Sequence, residues 1–235
     1  MITGLVGYGY WGKIIDSKLP QNLLEGNFDR AKWIFIATPP PSHYELVKKY
    51  LNEFKNVFCE KPLTLDFVQA EELIKISKEN NVRLYTDNIF LLRDEIRNTK
   101  LIPCENITFN WFKKGPFKDS LVNDLLYHDL YLLIHFMGVE KISGINYIKN
   151  TNSLLKIEFT YGKVRVKINY DRDRDGEKTK NIITDHQIID LSNPYNDPLQ
   201  ESIDLCLSDK MDFESNQKMT LETMKLLTYF IKYKK

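Results

Sequence analysis

This chain of 235 amino acids is short of three things, and each shortage excludes something. Cysteine is scarce: Cys59, Cys104 and Cys206 are odd in number and far apart. That spacing offers neither a disulfide framework nor a metal-ligand pattern, so no metal is expected and a reduced cytoplasmic setting fits. Charge of one sign is missing too, since 33 Lys+Arg against 32 Asp+Glu leave +1. The balance gives no electrostatic case for nucleic acid or for an anionic membrane as partner. No apolar run is long enough to span a bilayer; the most apolar one, residues 125–137, carries His128, Asp129 and His135. No basic segment followed by an apolar one stands behind Met1, so no signal peptide is expected. What remains is ordinary for a folded chain: 43% hydrophobic and 28% charged residues, with length enough for a core without staples.

The first hundred residues alternate short apolar runs with amphipathic ones. Residues 2–6, 33–37, 56–59 and 82–85 read as strands. Between them stand a short helix ending near Pro20, a stripe of Tyr44, Val47, Leu51 and Phe54, and a helix capped by Asp66 that carries Phe67, Ala70, Leu73, Ile74 and Ser77. Strands alternating with helices predict βαβ units and a parallel sheet. After about residue 100 the pattern changes. A strand at 107–112 and a buried helix at 121–137 precede strands at 141–148, 154–161, 163–170 and 182–191, with Gly162 at a hairpin corner. The charge run 171–178 reads as a solvated loop, because its signs alternate. Two helices, 197–207 and 217–233, close the chain. The expected fold is an α/β Rossmann domain with an abbreviated parallel sheet, residues 1–101. An α+β domain with an open, mostly antiparallel sheet follows, residues 102–235.

Gly7-x-Gly9-x-x-Gly12 lies directly between a strand and a helix. There the glycines allow a tight turn, backbone approach to a pyrophosphate, and close helix–strand packing. A dinucleotide site also calls for a second strand ending in an acidic residue about 20 residues on. Here the gap between Gly12 and Trp33 is too short for a full unit, and Glu25 and Asp29 only fall in the numerical window. The adenosine side is abbreviated. Lys61, after the strand at 56–59, should emerge at the carboxyl edge of the sheet, where ligands bind in such folds. Asp124, His128, Tyr131 and His135 share one stripe of the apolar helix. Polar groups there must face a partner, a cavity or a ligand. An imidazole could remove a hydroxyl proton, with Asp124 orienting the ring or holding a substrate hydroxyl; the plain alternative is a satisfied core histidine.

Four segments together resemble the glucose–fructose oxidoreductase / inositol dehydrogenase / MocA family of NAD(P)-dependent oxidoreductases. They are the loop from Gly7 to Lys13, Ala37-Thr38-Pro39 through His43 and Glu45, Glu60-Lys61-Pro62-Leu63, and Asp124 through His128-Asp129. The resemblance implies NAD or NADP as cofactor and a catalytic set of Lys61, His128 and Asp124. It implies a dinucleotide lined by Gly7, Gly9, Tyr10, Trp11, Gly12, Thr38, Pro39, His43 and Glu60, and a substrate contact from Asn88; Tyr131, on the stripe with His128, is the other expected substrate contact. It also implies a sugar-like small-molecule substrate, nucleotide-linked in surface-polysaccharide pathways, and a homo-oligomer (dimer or tetramer) built on the open sheet. Family members usually run longer, and the shortfall falls at the second strand, which leaves NAD against NADP open. The expected activity is hydride transfer at a secondary alcohol or ketone. The competing expectations are a truncated, non-catalytic relative that binds a partner and an imine reductase.

Overall fold

The computed structural model describes residues 1–20, 28–114 and 120–233, with the backbone of 23–24. Glu25 lies outside the described residues. The chain falls into two compact units, residues 1–89 with 197–228, and residues 90–196 with 229–235. None of the described helices is long and apolar enough to cross a membrane.

The first unit is a parallel sheet in the order β2-β1-β3-β4-β5. Its strands are β1 (Thr3–Val6), β2 (Leu23–Leu24), β3 (Trp33–Ile36), β4 (Asn56–Cys59) and β5 (Leu84–Thr86). Helices α1 (Tyr10–Asp16), α2 (His43–Asn52) and α3 (Phe67–Glu79) connect them, as the alternating pattern predicts. β3 is buried at every position, as expected of a strand covered on both faces. α3 begins where Asp66 accepts the backbone N–H groups of Val68 and Gln69, at 2.8 and 3.3 Å. Of its predicted apolar face, Ala70, Leu73, Ile74 and Ser77 are buried and Phe67 is half-buried. α2 ends sooner than its stripe suggests: Phe54 lies beyond it with φ of 56° and is exposed. The second strand, expected to be curtailed, persists as two residues pairing with Thr3 and Gly4. Trp33, Phe35, Phe58 and Tyr85 form the core with Leu199, Ile203, Cys206 and Phe213 of the closing segment. That segment comprises α6 (Pro198–Leu207), capped by Asp197 with Pro198 in its first turn, and α7 (Phe213–Tyr233).

The second unit, after the short helix α4 (Asp94–Arg97), is a six-stranded sheet in the order β11-β10-β6-β9-β8-β7. These are β6 (Asn106–Phe112), β7 (Ile142–Asn150), β8 (Leu154–Tyr161), β9 (Val164–Asp171), β10 (Thr179–Thr184) and β11 (Ile188–Asp190). Only the β6–β9 pairing is parallel, so the sheet is mixed and mostly antiparallel. The single strand expected at 182–191 is instead the hairpin β10–β11. Its turn is held by the Thr184 hydroxyl, which takes the N–H groups of His186 and Gln187. Gly162, with φ of 60°, turns β8 into β9 as predicted. One face of the sheet is apolar and the other polar. On the polar face Asn169 donates to Asn110 at 3.0 Å and Asn110 to Asn181 at 2.9 Å, a ladder across three strands. Against the apolar face lies α5 (Tyr127–Met137), whose Asp129 meets Tyr170 and Lys180. The helix expected from residue 121 starts as a π-helical turn, Val122–Leu126, and stops at Gly138, with φ of 76°.

Candidate active site

In the first unit the candidate residues gather on loops at the carboxyl edge of the parallel sheet, where open α/β sheets bind ligands. The glycine loop follows β1. Gly7 has φ of 96°, and a Cβ there would stand 2.6 Å from the Ala37 carbonyl oxygen, so a side chain is barred twice over. A Cβ on Gly12 would collide with the Gly7 carbonyl, which is what lets α1 pack against the loop. Gly9 is different: a Cβ there would meet nothing within 4 Å. Packing does not demand that glycine, and its bare backbone leaves the room a phosphate needs for close approach. These three environments match the three roles of a dinucleotide loop, so the residues present fit that cofactor. Tyr8, Tyr10 and Trp11 are exposed beside it, with the Tyr10 and Trp11 rings edge to face at 5.6 Å.

Thr38 and Pro39 follow β3, and the Glu60-Lys61-Pro62 segment follows β4. His43, at the start of α2, ties these two loops together. Its Nε2 lies 2.7 Å from the Thr38 carbonyl and its Nδ1 2.8 Å from the Pro62 carbonyl. The ring is fully buried, and burial pushes its pKa below the usual histidine value. His43 therefore acts on these loops from beneath. Lys61 is partly exposed and Glu60 nearly buried.

Asp87 and Asn88 follow β5 and are buried, each 2% exposed. The Asp87 N–H bonds the Cys59 carbonyl at 3.0 Å, which sets Asp87 beside the Glu60-Lys61 segment. Burial, then the charge of Glu60, pushes the Asp87 carboxyl well above the usual range; Lys61 and the hydroxyls of Ser202 and Tyr85 oppose the shift. Its Oδ1 has no hydrogen-bond partner among the described residues. Nothing in the local sequence singles out Asp87 beyond its place after a buried strand.

In the second unit His128 is 5% exposed and walled by rings, with Phe90 at 4.9 Å and Trp111 at 5.7 Å between centroids. Its Nδ1 lies 3.0 Å from the Tyr131 hydroxyl, which also accepts the Phe90 N–H at 3.1 Å. Tyr131 itself is fully buried. The Asp124 carboxylate pairs with Arg172 at 2.5 Å. His135 is exposed, so the predicted stripe divides; His128 and Tyr131 meet within it. The π-helical turn before Tyr127 alters the helical repeat between Asp124 and His128. Arg172 corrects the reading of residues 171–178 as wholly solvated: its side chain is 5% exposed, while Asp173 through Glu177 are exposed.

Residues 15–88 match the model of the oxidoreductase family with an NAD-binding Rossmann fold. The match begins after the glycine loop and includes Thr38, Lys61 and Asn88. An uncharacterised oxidoreductase of Schizosaccharomyces pombe is 35% identical over 140 residues, covering 52% of this chain and 37% of that protein. Inositol 2-dehydrogenase 1 of Mycolicibacterium vanbaalenii is 30% identical over 138 residues, covering 52% and 39%. The chain thus matches well under half the length of these curated relatives. Among solved structures, the WlbA dehydrogenase of Thermus thermophilus, in complex with NAD and UDP-GlcNAcA, superposes with a TM-score of 0.78. Its identity is 15%, and the match covers 98% of this chain and 86% of that one. UDP-N-acetylglucosamine 3-dehydrogenase of Acidithiobacillus ferrooxidans gives 0.76 at 16% identity, over 97% and 96%. The structural likeness shows the two-domain fold, and residues 15–88 are similar in sequence to the Gfo/Idh/MocA oxidoreductases with an NAD-binding Rossmann fold.

Proposed function

We propose that the protein transfers a hydride between a nicotinamide dinucleotide and a secondary alcohol or ketone of a sugar, in its finer form a nucleotide-linked sugar. The observation that carries the reading is the place of Lys61 after β4, at the same sheet edge as the glycine loop and Thr38. When bound, the nicotinamide supplies the hydride acceptor or donor. Gly7, Gly9 and Gly12 hold the pyrophosphate, with Tyr10, Trp11, Thr38, Pro39 and Glu60 along the dinucleotide. In the oxidation direction His128 removes the hydroxyl proton, and the Lys61 ammonium steadies the oxygen as negative charge grows on it. Asp124 orients substrate from its pairing with Arg172, Asn88 lies at the substrate side, and Tyr131 serves through His128. The open polar sheet is the face on which copies of the chain associate, in the cytoplasm.

Lys61→Ala tests this. Turnover is expected to fall by about 100-fold or more, the scale of a lost acid/base or electrostatic group. The melting temperature and dinucleotide affinity should stay near wild type; near-normal turnover overturns the assignment. One observation favours a second reading, a non-catalytic relative that binds a partner: the segment between Gly12 and Trp33 is too short for a full βαβ unit. Calorimetric titration with NAD(H) and NADP(H) separates the two. Saturable micromolar binding supports the enzyme, and no binding up to millimolar supports the binding protein.

A further inference from the structure

The second unit buries a lysine that the proposed chemistry does not use. Lys180 on β10 is 2% exposed. Across the sheet it stands opposite Trp111 of β6, which stands opposite Tyr170 of β9, so the three form one row on the inner face. The Lys180 ammonium lies 3.6 Å from the Trp111 ring centre and 4.2 Å from that of Phe90. These are the two rings that wall His128.

We propose that Lys180 is a positioning residue for His128: its ammonium clamps Phe90 and Trp111 around the imidazole and sets a positive charge behind them. The inference rests on the reading of His128 as the acid/base group. A cation on the face of tryptophan is attracted by the ring quadrupole, and more strongly where water is excluded. A ring held on one side by a cation is a fixed wall for whatever packs on it.

Neutralising Asp129 does not by itself explain the arrangement. Lys180 stands 3.4 Å from Asp129 Oδ1, longer than the roughly 2.7–2.9 Å of a charge-assisted hydrogen bond. The other carboxylate oxygen takes the Tyr170 hydroxyl at 2.5 Å. Burial holds the Asp129 carboxyl above its ordinary range although Lys180 and Tyr170 both oppose the shift. A buried ion pair is weak evidence for stability, since an apolar pair of like volume often does as well. The charged groups on the helix of His128 or against its two walls include Asp129 on that helix, Asp124 in the turn before it, paired with Arg172, Lys180 on β10, and Arg93, which is paired with Glu95 and whose guanidinium lies 5.4 Å from the Phe90 ring centre; Tyr131 supplies a phenol to the ring and Tyr170 one to Asp129. Of these, Lys180 contacts both walls of the imidazole.

Lys180→Met keeps an unbranched side chain, one heavy atom shorter, and loses the charge. With four histidines in the chain, the His128 ring can be followed by NMR through a pH titration. Its midpoint is expected to rise by about one pH unit, because a neighbouring cation that disfavours the imidazolium is gone. Lys180→Arg, which keeps a charge able to stack on both rings, should restore it. An unmoved midpoint in Lys180→Met overturns the proposal. Should that variant fail to fold with Asp129 left uncompensated, Lys180→Met combined with Asp129→Asn decides. There kcat is expected to fall at least tenfold at unchanged KM, and an unchanged kcat overturns the clamp. His128→Gln is the separate control: near-normal turnover in it overturns the acid/base reading, while the NMR titration still judges the clamp.

Discussion

Tyr131 holds its hydroxyl 3.0 Å from Nδ1 of His128 while accepting the backbone N–H of Phe90 at 3.1 Å. Two proton arrangements satisfy this geometry in a neutral ring. Either the phenol donates to Nδ1, or Nδ1–H donates to the phenol oxygen and leaves Nε2 as the basic nitrogen. In both, one hydroxyl fixes the tilt of the imidazole and joins it to the segment that carries Phe90. Tyr131→Phe keeps the ring and removes that link. The expected result is a kcat about tenfold lower at unchanged KM, because the base is disoriented and not deleted. The stranded Phe90 N–H should cost about 1–3 kcal/mol, read as a lower melting temperature. Unchanged kcat would show that the contact serves the core alone.

The glycine loop predicts opposite outcomes at neighbouring positions. In Gly12→Ala the added methyl meets the Gly7 carbonyl, so α1 must shift and the melting temperature should fall by several degrees. In Gly9→Ala the methyl enters open space, so thermal stability should hold. Dinucleotide affinity, by contrast, should drop at least tenfold, since the methyl occupies the ground the pyrophosphate needs. Calorimetry and thermal melts on the two variants check this. A Gly9→Ala protein that binds dinucleotide like wild type would remove the phosphate from this loop.

These contrasts show what kind of information the residues carried openly. Glycine spacing, the Asp66 cap and the apolar periodicity of β1–β5 are local signals, and the parallel sheet follows them. Pairings set by the second sheet left no such mark. Arg172 sits in a run of alternating charges, and only β9 ending where it does turns that side chain toward Asp124. Lys180 lies one residue from a polar asparagine on β10, so strand alternation alone would admit either residue to the inner face; register against Trp111 decides it. The division of residues 182–191 into a hairpin rests on the Thr184 hydroxyl, a three-residue signal inside an otherwise continuous strand pattern. The stripe from Asp124 to His135 assumed an unbroken 3.6-residue repeat, which the π-helical turn interrupts.

Asp87 gives the pH-dependent prediction. Its carboxyl is buried beside Glu60, and burial and that charge together raise its pKa in the folded state. An unfolded aspartate releases its proton near pH 4. As pH rises from there, the unfolded chain gives up this proton before the folded one does. Stability attributable to Asp87 is therefore complete below about pH 4 and is lost as pH rises toward the folded pKa. Asp87→Asn imitates the protonated acid in size and cannot charge. Its melting temperature should match that of wild type near pH 4 and exceed it by a margin that widens toward neutral pH. Thermal melts across that range make the comparison. Parallel curves would mean that Asp87 is charged in the folded protein at neutral pH, with Lys61, Ser202 and Tyr85 outweighing burial and Glu60.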